Sequence, residues 1–84
     1  HMSGYGVVNL DSGMKRIKVS AQPSASANRV IDLQHGNICK LLNFVKGDDG
    51  ENWYHIRTSN NFEGYIRDVY FIPLTPEEYN SISH

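Results

Sequence analysis

Two short runs, "WYHIRT" and "FEGYIR", flank Ser59-Asn60-Asn61, and this arrangement constrains the chain more than any other stretch. Both runs are rich in aromatic and β-branched residues, and Asn tolerates the positive φ that a tight connection needs, so the segment predicts a β-hairpin. Side chains alternate along strands. With Ile56 in the core, Tyr54 and Thr58 share its side, and Trp53, His55 and Arg57 take the other. With Ile66 in the core, Phe62 and Gly64 are expected inside and Glu63, Tyr65 and Arg67 outside. Trp53 is then expected to be exposed, and Gly64 marks a bulge or a close backbone approach.

The rest of the chain repeats this grammar of short β-type runs and turns. "YGVVNL" (5–10) is a first strand, closed by Asp11-Ser12-Gly13. "RIKVSA" (16–21) puts Ile17 and Val19 on one face and turns Lys18 and Ser20 to water. "QPSASAN" (22–28) reads as an exposed loop, longer than a usual hairpin connection. "RVIDLQHG" resumes with Ile31 and Leu33 on one face, and Gly36 turns the chain. In "NICKLLNFV" (37–45), Cys39 and Leu41 share one face while Ile38, Lys40 and Leu42 share the other; sending Lys40 to water puts Cys39 inside. "KGDDG" (46–50) is an acidic loop. The class is mainly β.

One helix is expected, at the C-terminal end. Thr75, Pro76 and Glu78 form the capping-box pattern. Tyr79 and Ile82 lie three apart, on a face that is available to pack on the body or on a following module. The linker reading is preferred.

The chain has 84 residues, enough for one domain and few enough that only about 60% of the unfolded surface is buried on folding. With 39% hydrophobic residues, disorder is excluded. A formal charge of −1 provides no basic footprint for nucleic acid. No run approaches a membrane span, so no membrane insertion is expected. His1-Met2 ahead of Ser3 reads as an expression-vector scar, which gives a division into a disordered start (1–3), a domain (4–74) and a capped helix or linker (75–84).

Catalysis and metal binding find little footing. The single cysteine, Cys39, has no partner for a disulfide and no Cys/His cluster at zinc spacing. Cys39 with His35 or His55 is the sole pairing that resembles a cysteine hydrolase, and strand parity separates Cys39 from His55. His1 belongs to the scar and His84 to the terminus. No catalytic residue, metal or cofactor is expected.

Read in order, "IKVSAQPSAS", "VIDLQHG", "ICKLLNF", "WYHI" and "GYIRDVYF" resemble the bacterial Src-homology-3-like (SH3-like, SH3b) domains over roughly residues 17–74. The resemblance implies a small five-stranded β-barrel. It also implies a non-catalytic binding module of a bacterial envelope or secreted protein, located outside the cytoplasm, that targets cell-wall peptidoglycan or a peptide. By position, Trp53 and Tyr70 match the aromatics that line the peptide groove of eukaryotic relatives. Arg67 stands where those relatives commonly have a groove proline, and with His55 it would meet carboxylates at the rim. The chain departs from the family at Ser20-Ala21-Gln22-Pro23, where many members carry Arg-Ser-Gly-Pro. The opening aromatic stretch of polyproline-binding relatives is absent, so polyproline recognition is not implied. The alternative is a structural spacer or protein-protein interaction module in a tandem-repeat protein, with neighbouring modules as its partners; an intracellular interaction module is a third possibility.

Overall fold

The computed structural model describes residues 2–83, so His1 and His84, assigned to the scar and the terminus, lie outside the described residues. Among the described residues the chain forms β1 (Tyr5–Val8), β2 (Ile17–Ser20), β3 (Arg29–Leu33), β4 (Ile38–Lys46), β5 (Asn52–Arg57), β6 (Glu63–Arg67), a 3₁₀ turn (Asp68–Tyr70), β7 (Phe71–Pro73) and α1 (Pro76–Ser83). The strands make one antiparallel sheet in the order β3-β2-β6-β5-β4-β1-β7. The mainly β class holds, but the expected five-stranded barrel does not. There are seven strands in the described residues, and the sheet is not closed.

The two strands beyond five, β1 and β7, pair with each other across most of the length of the chain. The N-terminal run pairs with β4 through Gly6↔Cys39 and with β7 through Val7↔Ile72, so it bridges two strands that it precedes in sequence. Gly6 permits this closeness, because a Cβ there would lie 2.3 Å from Cε2 of Phe71. Strand β7 is three residues long and follows the 3₁₀ turn directly, too short for alternation to announce it.

One face of the sheet holds the core: Val8, Leu10, Val19, Leu33, Cys39, Ile56, Ile66 and Phe71. Cys39 is inside as expected, and Lys40 is in water. Tyr54 is half-buried against this cluster, between Phe44 at 5.0 Å and Phe71 at 5.5 Å between ring centres. Burial first, and then the Asp68 carboxylate, pushes its phenol pKa upward. The β4–β5 register slips between Leu41 and Asn43, and this bulge brings Phe44 opposite Tyr54.

Gly64 does mark a close approach: a Cβ there would lie 2.6 Å from Cγ1 of Val19 and 2.7 Å from the Ser20 carbonyl oxygen. The hairpin turn also follows expectation, with Asn61 at φ 70°. Phe62 is a correction. It was expected inside and is exposed, because it still belongs to the turn: its N–H donates to Thr58 Oγ1 at 3.0 Å, and β6 begins only at Glu63.

The C-terminal helix is capped as its sequence predicts. The Thr75 N–H donates to Glu78 Oε1 at 2.9 Å, and the Glu78 N–H donates to Thr75 Oγ1 at 3.1 Å. Tyr79 stacks on Tyr5 with 4.3 Å between ring centres. Ser3, assigned to the disordered start, donates through its N–H and its hydroxyl to the Leu74 carbonyl, at 3.1 and 2.9 Å.

Candidate functional site

The face of the sheet opposite the core carries a ladder of cross-strand pairs between β5 and β6. Trp53 faces Arg67, His55 faces Tyr65, and Arg57 faces Glu63. Each rung has its own chemistry. The Arg67 guanidinium stands 5.7 Å from the centre of the Trp53 ring, a cation–π contact. His55 stacks on Tyr65 at 4.6 Å with 14° between planes. Arg57 donates to Glu63 Oε2 through Nε at 3.1 Å and Nη2 at 2.9 Å.

The sides taken by Trp53, His55 and Arg67 are those expected, yet the expected exposure of Trp53 is overturned: it is only 2% exposed. The outer face is covered at that end by the chain's own 21–28 loop. Lys18, expected to face only water, donates from Nζ to the carbonyls of Ala25 and Ala27, both at 2.9 Å, and pins the loop over the sheet. Gly47 closes the other side. A Cβ on it would lie 2.2 Å from the Pro23 carbonyl oxygen and 2.7 Å from Trp53 Nε1, so the indole edge, Gly47 and Pro23 converge with no room for a side chain. Ser20, also expected in water, is 1% exposed under the same cover. Strand parity gives the face on which a residue sits. Whether that face meets solvent depends on a loop that comes back over it.

A pocket of about 170 Å³ remains beside this cover. Trp53, Arg67, Tyr70 and Ser20 line it, with Ile17, Lys18 and Ala25. Three of the four expected binding residues thus come together, while His55 lies outside, one rung along the same face. Tyr70 arrives from the 3₁₀ turn, half-buried, and its carbonyl accepts the Asn9 N–H at 2.9 Å. Ser20 is the residue that sequence reasoning missed, because its burial depends on the long-range cover of the loop.

The hydrogen bonding of this site is incomplete. Ser20 Oγ, Trp53 Nε1 and Arg67 Nε are buried and have no hydrogen-bond partner within the chain, and no other buried side-chain atom among the described residues shares that condition. A buried polar group left unmatched costs about 1–3 kcal/mol, and such groups are uncommon in native structures. All three belong to residues of one pocket. Arg67 is already held at its outer edge, where Nη2 donates to Glu51 Oε1. Trp53 Nε1 lies on the packed side with Gly47 and Pro23, neither of which lines the pocket, so the groups that bear on it are the Arg67 N–H and the Ser20 hydroxyl, and a hydrogen-bond acceptor complements both.

Farther along the ladder, Glu63 also approaches His55 Nε2, at 3.4 Å. The Arg57 hydrogen bonds hold the Glu63 carboxyl below its ordinary value of 4.5, with the charges of Arg57 and His55 acting in the same direction and desolvation opposing them. Cys39 lies within the core, where burial pushes its thiol up to about 11, unsuited to a nucleophile at neutral pH. His35 is engaged through Nδ1, which accepts the Leu10 N–H at 3.0 Å. Among the described residues no three His, Cys, Asp or Glu side chains gather as a metal site would require, and no helix is long and apolar enough to cross a membrane.

Compared with known proteins, the chain matches no family model and no curated protein sequence.

Proposed function

We propose that this chain is a non-catalytic binding module of the bacterial SH3-like kind, and that it seats a wall peptide or peptidoglycan stem in the pocket beside Trp53. The observation that carries this reading is the pocket itself. Trp53, Arg67 and Tyr70 line it, and two of its lining residues carry buried polar atoms without partners, Ser20 Oγ and Arg67 Nε. A peptide carbonyl or carboxylate supplies the acceptor these groups lack, and the rings of Trp53 and Tyr70 offer flat contact area at small entropic cost. The succession of strand, Ser/Pro-rich loop, Trp-Tyr strand and Gly-Tyr strand supports the kinship. An extracellular or envelope location is part of the same proposal and rests on that resemblance. His55 acts at the rim, where an anionic ligand has to compete with Glu63 for it.

The test is a titration of isotope-labelled protein with soluble peptidoglycan fragments, followed by backbone amide shifts. Saturable shifts at Ser20, Trp53, Arg67 and Tyr70 are expected. If these stay still at millimolar ligand, the pocket does not bind wall fragments.

The spacer reading draws on a different observation. Ile72 is exposed on β7, an edge strand of the sheet, and such an edge is open to pairing with a neighbouring module. Shifts confined to β7 on joining a second module would favour it.

A further inference from the structure

A second pocket shares no residue with the first. It has a volume of about 520 Å³ and lies between β1, the start of β4, the β5–β6 turn and α1. Its wall is apolar: the stacked rings of Tyr5 and Tyr79, with Ile38 from β4 and Ile82 from the helix. Ile82 is 54% exposed, a large side chain left in water at the mouth of a concave surface.

The charge of this pocket has one sign. Lys40 and Arg57 both line it, and no Asp or Glu does, although the whole chain carries a formal charge of −1. The two cations are not equivalent. Arg57 is already committed to Glu63. Lys40 makes no ion pair among the described residues, and its ammonium rests 5.2 Å from the centre of the Tyr5 ring. A cation on an aromatic face, beside an apolar wall, combines a counter-ion for a carboxylate with a seat for a hydrocarbon group. Ser59 and Asn61, exposed at the turn, add polar groups within reach of a peptide backbone.

From this combination we infer that the chain has a second binding site, specific for a peptide C-terminus that ends in an apolar residue. The terminal side chain lies against Ile38, Tyr79 and Ile82, and the α-carboxylate meets Lys40. This site is independent of the pocket beside Trp53. Its ligand is distinguished by a free terminal carboxylate next to an apolar group.

The experiment titrates the whole chain with N-acetyl-alanyl-phenylalanine and, in parallel, with the same dipeptide as its C-terminal amide. The acid is expected to shift the amides of Ile38, Lys40, Asn61 and Ile82, and to bind about tenfold more tightly than the amide. Lys40→Gln should remove that preference, and because Lys40 is exposed the variant keeps the fold. Ile82→Asn should weaken the acid and the amide alike, with α1 retained by circular dichroism. The inference is overturned if acid and amide bind equally, if the four amides stay still at millimolar acid, or if the shifts fall around Trp53 instead. Since the two pockets share no residue, silence here leaves the wall-fragment titration to be judged separately.

Discussion

The Arg67 guanidinium lies over the Trp53 ring, 5.7 Å from its centre, while its Nη2 is held by Glu51 and its Nε is buried without a partner. One side chain thus caps a buried indole, closes an ion pair at the rim, and carries a buried donor that the chain leaves unmatched. Removing it should separate these jobs. Arg67→Met keeps much of the hydrocarbon cover on Trp53 and removes all the donors. It should change stability by less than about 1 kcal/mol in a denaturant melt and weaken binding of wall fragments severalfold or more.

Trp53→Ala should cost about 3 kcal/mol or more, because a 2%-exposed indole leaves a cavity under the 21–28 loop that the loop, pinned by Lys18, cannot fill. Urea unfolding of the variant measures it. A loss below about 1 kcal/mol would mean that the cover is not closed in solution.

Gly64→Ala should destabilise by about 1–3 kcal/mol through overpacking. The added methyl meets Cγ1 of Val19 and the Ser20 carbonyl at under 3 Å, and the carbonyl is backbone that has to move with β2. Amide shifts in the variant should spread from β6 into Val19 and Ser20. If they remain local, the close approach is not present.

The Glu63 carboxyl should titrate with a midpoint below 4.5. A group whose folded pKa is lowered adds stability above its unfolded pKa, and that stability is lost as pH falls through the folded value. The contribution should therefore fade only below about pH 4.5, and remain small because Glu63 is exposed. Side-chain carboxyl shifts against pH report the midpoint directly. Arg57→Gln should move it back up.

The Cys39 thiol should resist alkylation at pH 8 by more than about a hundredfold relative to the unfolded chain, because burial both shields it and pushes it up to about 11. Labelling rates in native buffer and in denaturant give the comparison. Equal rates would place Cys39 at the surface.

Much of this was legible from local chemistry. The Ser59-Asn60-Asn61 turn, the Thr75–Glu78 capping box, the inward Cys39 and the crowded Gly64 all follow from propensities and alternation within a few residues. What escaped depends on contacts far apart in sequence. The bulge at Leu41–Asn43 resets parity halfway along β4 and brings Phe44 to Tyr54. The 21–28 loop returns over β5 and converts the solvent face of Trp53 and Ser20 into a second buried layer. Strand β7 is too short for a pattern, and its pairing with β1 links residues more than sixty positions apart. Of the expected binding residues, Trp53, Arg67 and Tyr70 do share a pocket, but by burial at its wall instead of display on an open groove.

The Trp53 indole proton reports whether a wall peptide sits in the pocket beside it. It belongs to the single tryptophan of the chain, so its resonance stands alone in a nitrogen–proton spectrum. Its ring walls the pocket in which the ligand is proposed to sit. On saturation with a soluble peptidoglycan stem peptide, this resonance should shift clearly, with the Arg67 Nε–H moving at the same ligand concentration. An indole resonance that does not move, while the peptide binds elsewhere on the chain or not at all, would contradict it.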